Sequence, residues 1–491
     1  MGESEKRVIG VAREGVSPEN AKDADPRVVL APDHVGEIVT HGFPVMVEAG
    51  AGARMGYCDA AYVEAGAHVC SKQQVYGSAD LLVKFKGPAH DDVFLMKPGS
   101  TAFCMAHVKS HPDRLRAFRE RNVTLIGMER LLQPRPAPTM DDVVGSQAVL
   151  FGLQGFSARS TRVVLIGFSP ALAAAVRQAA CFNVEAITFV APGQADDMKA
   201  VDTPDTLVLW DEGAWRAGSP PRFEHARVMN MATFREPEIG RALQKVSLLA
   251  PRPEYGIRKI QCFRETGMSA ADYGLQLLLD HSTRHVSAET VTACILGYGR
   301  VAMGAAEALV EQGVGRVHVL GRRQTAPGEI ASWLQLSDLV VNGAEPRANE
   351  PRRFLISREH CATALQKGAV LVDMIGGSPD YPCPVEEIVS ARSPSDPHFE
   401  KNGRFYASVW GWAILGRARQ TNQMYGRQIT DVLLHEDKLA YTPREWSDAL
   451  NAAIITDARA HDGCTGCGGC ETAGGCRKPQ PFDDELPALW A

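Results

Sequence analysis

Short apolar runs alternate with segments whose apolar positions recur at helical spacing along most of the chain. In the N-terminal part, RVIGVA, FPVMVEAG, ADLLVKFKG, STAFCMAHV and VTLIGME predict strands, and DHVGEIVTHG, DAAYVEAGAHV and HPDRLRAFRERN predict the helices between them. Strands joined by helices at this spacing predict parallel pairing and a doubly wound domain. PRPAPTMDD reads as a proline-rich linker, and Thr139 with Asp142 has the form of a capping box opening the helix MDDVVGSQAVLFGLQ. TRVVLIGFSPALAAAVRQAACFNVEAITFVAP predicts a further strand, turn, helix and strand. Residues 201–260 hold prolines, arginines and runs such as TLVLW without a clear period, and AADYGLQLLLDHST is again helical. IASWLQLSDLVVNGA and ALQKGAVLVDMIGG predict a helix-to-strand step and another strand, and residues 405–436 read as an aromatic turn and a long helix. The fold class is α/β, with two or three doubly wound, Rossmann-like domains.

The strongest chemical signal lies in residues 291–323, VTACILGYGRVAMGAAEALVEQGVGRVHVLGRR. After an apolar strand, Gly297 permits a tight turn, Gly299 lets the backbone approach a pyrophosphate, and Ala302 leaves room for the helix to lie on the sheet. The helix start, through Arg300 and Val301, presents N–H groups and a partial positive charge to phosphate. The second strand ends in Gly321, Arg322 and Arg323, where an NAD site usually places a carboxylate for the ribose 2′-hydroxyl. Guanidinium groups bind a 2′-phosphate with paired hydrogen bonds, so NADP(H) is the expected cofactor, with NAD as the alternative. Strand ends in such sheets line the ligand crevice, which adds Asn342, Gly343, Asp373 and the Gly376/Gly377 pair. In the earlier stretch Gly167 is followed by Phe168, Ser169 and Pro170, so the second glycine is missing and the turn reads as structural or substrate-facing.

At 491 residues the chain has room for several cores, and a formal net charge of −6 with no clustered basic face argues against nucleic acid as a partner. No apolar run reaches spanning length and MGESEKRVIG is polar, so neither a membrane nor a secretory signal is expected and the cytoplasm is the default location. Of the 12 cysteines, most are scattered through apolar segments as small buried hydrophobes. Cys464, Cys467, Cys470 and Cys476 instead crowd into a glycine-rich tail whose spacing suits an iron–sulfur cluster, zinc or a tail without metal.

The motifs PRVVLAPDHVGEIVTHGFPVMVEAGAGA, DLLVKFKGP and FCMAHV, the strand ending at Glu129, the glycine turn and SDLVVNGA…LQKGAVLVDM together resemble the superfamily of alanine dehydrogenase, the transhydrogenase N-terminal region and lysine-forming saccharopine dehydrogenase. The resemblance covers residues 5–157 and 291–436. It implies a discontinuous substrate domain, residues 1–157 completed by 405–460, around an inserted α/β segment (158–285) and a nucleotide domain (286–404), with the tail at 461–491. By the same resemblance Arg27 holds an amino-acid carboxylate, Lys86 binds the substrate carbonyl or carboxylate, His107 is the acid/base, and Glu129 is a carboxylate beside both, as in the saccharopine branch. Alanine dehydrogenases carry a catalytic aspartate shortly after LVD, where this chain has Met374, Ile375 and Gly376, so alanine is disfavoured as substrate. CFRETGMSAADYGLQLLL followed by ILGYGRVAMGAA resembles the cofactor-domain start of S-adenosylhomocysteine hydrolase, which implies cofactor geometry only.

The chemistry of these residues agrees with the resemblance. Hydride transfer to or from an amino- or imino-carbon needs a cation for the carboxylate, a group that moves a proton near neutral pH, and exclusion of water. The expectation is an NAD(P)H-dependent oxidoreductase acting on the C–N bond of an amino acid or keto acid, working as a homo-oligomer. The alternatives are a lyase or cyclase that keeps its nicotinamide bound, and a non-catalytic sensor of NADP(H) or metal.

Overall fold

The computed structural model describes residues 6–15, 25–108, 111–134, 138–192, 199–212, 222–235, 257–282, 287–346, 354–376 and 383–458. The chain divides into two compact units. Unit 1 comprises Met1–Arg135, Tyr255–Cys262 and Arg417–Leu486; unit 2 comprises Pro136–Glu254, Phe263–Gly416 and Pro487–Ala491. The helices that bear on function are α1 (Pro32–Thr40), α2 (Met140–Gly152), α3 (Pro170–Cys181), α4 (Phe263–His281), α5 (Arg300–Glu311) and α6 (Ala418–Leu434).

Unit 1 is built on β1 (Ile9–Val11), β2 (Val45–Glu48), β3 (His68–Cys70), β4 (Leu81–Lys86), β5 (Thr101–Met105), β6 (Thr124–Gly127) and β19 (Ile454–Thr456). They form one sheet in the order β19-β6-β5-β4-β1-β2-β3, parallel except where β19 returns antiparallel to β6. The central strands are buried on both faces along almost their whole length, as in a covered parallel sheet. A small antiparallel pair, β7 (Leu132–Gln133) with β12 (Ile257–Arg258), ties the segment before α4 to this unit.

Unit 2 carries β8 (Arg162–Ile166), β9 (Ala186–Val190), β10 (Thr206–Trp210), β11 (Arg227–Asn230), β13 (Thr292–Leu296), β14 (Arg316–Leu320), β15 (Leu339–Asn342), β16 (Val370–Asp373), β17 (His398–Lys401) and β18 (Arg404–Ser408). All lie in one sheet ordered β11-β10-β8-β9-β14-β13-β15-β16-β18-β17. The order reads outward in the same way from its middle, where β9 and β14 meet antiparallel with Phe189 opposite Val317. On one side α2, β8, α3, β9 and β10 follow each other; on the other α4, β13, α5, β14 and β15 do.

Residue-level geometry shows that these two halves are a structural repeat. Ile166 pairs with Trp210 as Leu296 pairs with Asn342, which equates Gly167 with Gly297 and Asp211 with Gly343. A Cβ on Gly145 of α2 would fall 2.0 Å from the Ala171 carbonyl oxygen, and one on Gly267 of α4 would fall 1.9 Å from that of Val301. Ala171 and Val301 both stand four places after the equated turn glycines. Seven residues after Gly145 and Gly267, a Cβ on Gly152 would fall 2.6 Å from the Leu207 side chain and one on Gly274 would fall 3.0 Å from that of Leu339, again equivalent positions. The sequence segments GSQAVLFGLQ (145–154) and GMSAADYGLQ (267–276) carry the match.

Three boundaries differ from the sequence expectation. The first break falls at 135/136, because α2 packs on α3 in unit 2, so 136–157 groups with unit 2 and not with residues 1–135. Strands β8–β11 and β13–β18, expected in separate domains, share one sheet, because β9 and β14 pair edge to edge. The returning segment starts at 417, since FYAS is strand β18, paired with β16 and β17. The hairpin turn between β17 and β18 is Asn402-Gly403, both with positive φ, a tight-turn signal present in the sequence.

Candidate functional site

In unit 1 the residues read as chemical lie at neighbouring strand ends. β4 and β5 run parallel, with Lys86 opposite Met105 and an irregularity between Val83 and Lys86. Glu14, in the segment after β1, fills this irregularity. Its Oε1 accepts the Phe85 N–H at 2.7 Å, and its Oε2 accepts the Lys84 ammonium at 2.5 Å and the Lys86 N–H at 3.3 Å. Both Glu14 and Lys84 are buried. Burial pushes the Glu14 carboxyl up and Lys84 opposes the push. Lys84 is therefore tied internally, whereas the half-buried Lys86 ammonium makes no hydrogen bond among the described residues and lies in the field of Asp25.

His107 follows β5 with φ 45°, in the left-handed region that a residue other than glycine seldom adopts. Glu129, in the turn after β6, holds it there. Its carboxylate accepts the Ala106 N–H at 3.0 Å and the His107 N–H at 3.0 Å. From below, buried Arg114 donates to the Ala106 carbonyl at 3.0 Å. The sequence reading had Glu129 beside Lys86 and His107 as a chemical group. Its geometry is instead that of a backbone clamp for the His107 turn, the kind of local strain that active sites hold in place.

Arg27 is 6 % exposed, and its fork faces Asp25: Nε to Oδ1 at 3.0 Å and Nη2 to Oδ2 at 2.7 Å. The guanidinium also lies over the Phe85 and Tyr425 rings, 5.0 and 5.3 Å from their centroids. Burial alone would raise the Asp25 carboxyl; the Arg27 guanidinium overrides it and holds the group below its usual range. The returning helix α6 completes this corner: Asn422 accepts the Val28 N–H at 2.8 Å, and the Tyr425 hydroxyl receives the Cys262 thiol at 2.9 Å. Arg258, from β12, sits in the fields of Glu129 and Tyr425, with burial pulling its guanidinium down. Glu14, Asp25, Tyr425, Cys262 and Arg258 were not among the sequence candidates. Only Asp25 carried a local signal, standing two places before Arg27.

In unit 2 a glycine turn joins β13 to α5. Gly297 has φ 93°, and a Cβ there would fall 3.0 Å from the Gly343 carbonyl oxygen. Gly299 is the N-cap of α5 in extended conformation, and no side chain caps the helix. Val301 and Ala302 are buried against the sheet, and Arg300 is exposed at the first helical position. Asn342 and Asp373, expected to face a cofactor, are 0 % exposed and face each other, Nδ2 to Oδ1 at 2.7 Å. The remaining Asp373 oxygen accepts the Gly376 N–H at 2.6 Å and the Ser408 hydroxyl at 3.3 Å. Burial raises the Asp373 carboxyl against these bonds. The pair shapes the loops after β15 and β16 from beneath and offers no side-chain contact to a ligand.

The equivalent position in the first half is closed. Ser169 replaces Gly299 and caps α3 by accepting the Leu172 N–H at 3.2 Å, while Asp211 replaces Gly343 and accepts the Ser169 hydroxyl at 2.7 Å. Arg235 balances that carboxylate at 2.5 Å and reaches Asp141 at 2.8 Å. An anion of the chain's own thus lies where a phosphate would lie at α3, whereas the two glycines leave α5 open. Cys464, Cys467, Cys470 and Cys476 lie outside the described residues, as does Gly377. Among the described residues no group of three or more His, Cys, Asp or Glu is placed to hold a metal, and no helix is long and apolar enough to cross a membrane.

Comparison with known proteins bears on unit 1 most directly. The family model for the alanine dehydrogenase/PNT N-terminal domain matches residues 15–150. Residues 15–150 are thus similar to that domain. Alanine dehydrogenase of Bacillus subtilis (strain 168) is 29% identical over 150 residues, which is 30% of this chain and 38% of that protein. NAD(P) transhydrogenase subunit alpha of Cereibacter sphaeroides is 24% identical over 247 residues, 45% of this chain and 47% of that one. The chain thus spans less than half the length of these curated relatives. Among solved structures, an L-alanine dehydrogenase aligns over 92% of this chain and 95% of its own at 17% identity with TM-score 0.47, and the transhydrogenase from Sinorhizobium meliloti over 92% and 97% at 14% and 0.44. The matched segment, 15–150, holds Arg27, Lys86, His107 and Glu129.

Proposed function

We propose that the protein is a nicotinamide-dependent oxidoreductase acting on the C–N bond of an amino acid or its keto acid, with NADP(H) as the preferred cofactor. The observation that carries this reading is the pairing at the ends of β4 and β5: an ammonium, Lys86, with no hydrogen bond among the described residues, and a histidine, His107, pinned by Glu129 in a left-handed turn. Relatives named as alanine dehydrogenases and as an NAD(P) transhydrogenase subunit support the class of reaction.

In this reading Lys86 polarises the substrate carbonyl or imine, and its positive charge stabilises the negative charge that develops on the substrate oxygen or nitrogen. The His107 imidazole moves the proton at that heteroatom, for which a group titrating near neutral pH is suited. Arg27, with its charge shared with Asp25 and its face on Phe85 and Tyr425, orients the substrate carboxylate. In unit 2 the open α5 N-terminus with Gly297, Gly299 and Gly343 fits a pyrophosphate, and the bound nicotinamide would supply the hydride. Because Asp211 closes the equivalent place at α3, NADPH should titrate to one equivalent per chain. Two equivalents by calorimetry would overturn that assignment.

The test of the reaction is a screen of keto acids with ammonium or amino acids, following nicotinamide absorbance. Steady consumption of added NADPH that depends on the amine supports the proposal. NADPH held without turnover against every keto acid and amine pair would reject it. The Lys86 and His107 variants that assign the roles are treated below.

A further inference from the structure

The loop after β14 offers two guanidinium groups to the dinucleotide, and their surroundings differ. Arg323 is occupied: its Nη1 donates to the Arg159 carbonyl at 2.8 Å and the Asn183 carbonyl at 3.0 Å, both in the first half of the repeat. Gln324 continues the attachment. Its Nε2 reaches the Val184 and Glu185 carbonyls at 2.8 and 3.0 Å, and its Oε1 accepts the Gly321 N–H at 3.1 Å. Thr325 closes the turn by donating to the Gly321 carbonyl at 3.0 Å. These bonds follow from the antiparallel β9·β14 seam, which brings the start of β9 beside the end of β14. Beside the end of β14, Ala180 stands 3.6 Å from the position of a Gly321 Cβ, and the carbonyls of residues 183–185 receive Arg323 and Gln324.

Arg322 is different. It is exposed, has no hydrogen bond or ion pair among the described residues, and lies close enough to the end of α3 for its charge to act on Cys181. It stands directly after Gly321, whose missing side chain leaves Tyr298 of the glycine turn 3.7 Å from the position of a Cβ. The Tyr298 distance puts the Gly321 backbone, to which Arg322 is joined, beside the glycine turn between β13 and α5.

We propose that Arg322 alone reads the 2′ substituent of the dinucleotide, and that Arg323 is a positioning residue that fastens the Gly321–Arg322 turn to the first half of the repeat. The inference rests on the dinucleotide reading of unit 2 and assigns the first half a role: it supplies the wall that fixes the reading arginine. A 2′-phosphate gives Arg322 a charge-assisted partner, whereas a 2′-hydroxyl gives it little.

The full-length protein, its Arg322→Ala variant and its Arg323→Ala variant would be titrated with NADPH and NADH, with melting and amide hydrogen exchange measured on each. Loss of one charge-assisted contact predicts that Arg322→Ala weakens NADPH on the order of 10- to 100-fold and NADH by no more than about twofold, with unchanged melting. Arg323→Ala is expected to weaken both cofactors by a similar factor and to speed exchange in residues 157–185. A lysine at 323 should restore part of that protection without changing the NADPH/NADH ratio. The inference is overturned if Arg323→Ala is the variant that selectively loses NADPH, if Arg322→Ala lowers melting while leaving both affinities alone, as a cap on α3 would, or if the wild-type protein prefers NADH. Wild-type protein that binds neither cofactor would overturn the dinucleotide reading, and this inference with it.

Discussion

Lys86→Ala and His107→Asn are each expected to reduce turnover by about 10²- to 10⁴-fold, the usual range for removing a positioned acid/base or electrophilic group. Neither change should lower melting much, for reasons that differ. Lys86 Nζ has no hydrogen bond among the described residues, so its truncation leaves no buried partner unsatisfied. His107 sits at φ 45°, and asparagine tolerates the left-handed region while removing the imidazole; alanine there would add backbone strain to the chemical loss. Steady-state kinetics with thermal melting and NADPH titration separate the effects. A fully active His107→Asn variant would return the histidine to a structural role. Glu129→Gln distinguishes clamp from proton donor: the amide oxygen still accepts the Ala106 and His107 N–H groups, so the pH profile should keep both limbs with a modest loss of kcat. Disappearance of one limb would make Glu129 an exchanging acid in its own right.

What the sequence revealed and what it concealed have physical causes. The alternation of apolar strands and amphipathic helices was legible because each element must bury one face or both, and the pattern follows from that need alone. Gly297, Gly299 and Ala302 were legible because a tight strand-to-helix turn tolerates few residues. The strand ends carrying Lys86 and His107 could be placed because apolar runs, LLV in β4 and AFCM in β5, lead up to them. The partners of those residues could not. Glu14 meets Lys84 across 70 positions, and Asn422 meets Val28 across 394. Such pairs leave no local trace in one chain. Asn342 and Asp373 were correctly assigned to strand ends, but a sequence does not state that two side chains at adjacent strand ends bond each other and so turn away from a ligand. The strand FYAS was missed although Asn402-Gly403 marks its hairpin, because the aromatic run drew the reading toward a turn. The repeat escaped detection for a more instructive reason. Its two copies agree where helix packs on strand, at Gly145 and Gly267 and at Gly152 and Gly274. They differ at the strand-to-helix turn, at Ser169 against Gly299 and Asp211 against Gly343. A search for the nucleotide glycines finds only the open copy.

The shared helix contacts yield the second large effect. Gly267→Ala and Gly145→Ala should each destabilise the protein by about 3 kcal/mol or more, even though alanine favours an isolated helix over glycine by about 1 kcal/mol. The new methyl group would stand 1.9 or 2.0 Å from a backbone carbonyl oxygen of the neighbouring helix, and no side-chain rotation relieves a backbone contact. The helices must separate, opening the cluster of small residues between them. Gly77→Ala is the control: that helical glycine has only the Leu95 carbonyl at 3.8 Å beside its Cβ position, so the same substitution should be neutral or mildly stabilising. The two clashing variants should differ in function although they match in geometry. α5 carries Gly299 and Arg300 at its start, so forcing α4 away from it disturbs the dinucleotide seat, and folded Gly267→Ala protein should bind NADPH weakly. α3 begins at Ser169 beside Asp211, so Gly145→Ala should lose stability while the folded fraction keeps its NADPH affinity. Chemical denaturation and NADPH titration on the three variants would decide this. Equal loss of affinity in Gly145→Ala and Gly267→Ala would mean that the two halves do not divide structure and binding between them as their turns suggest.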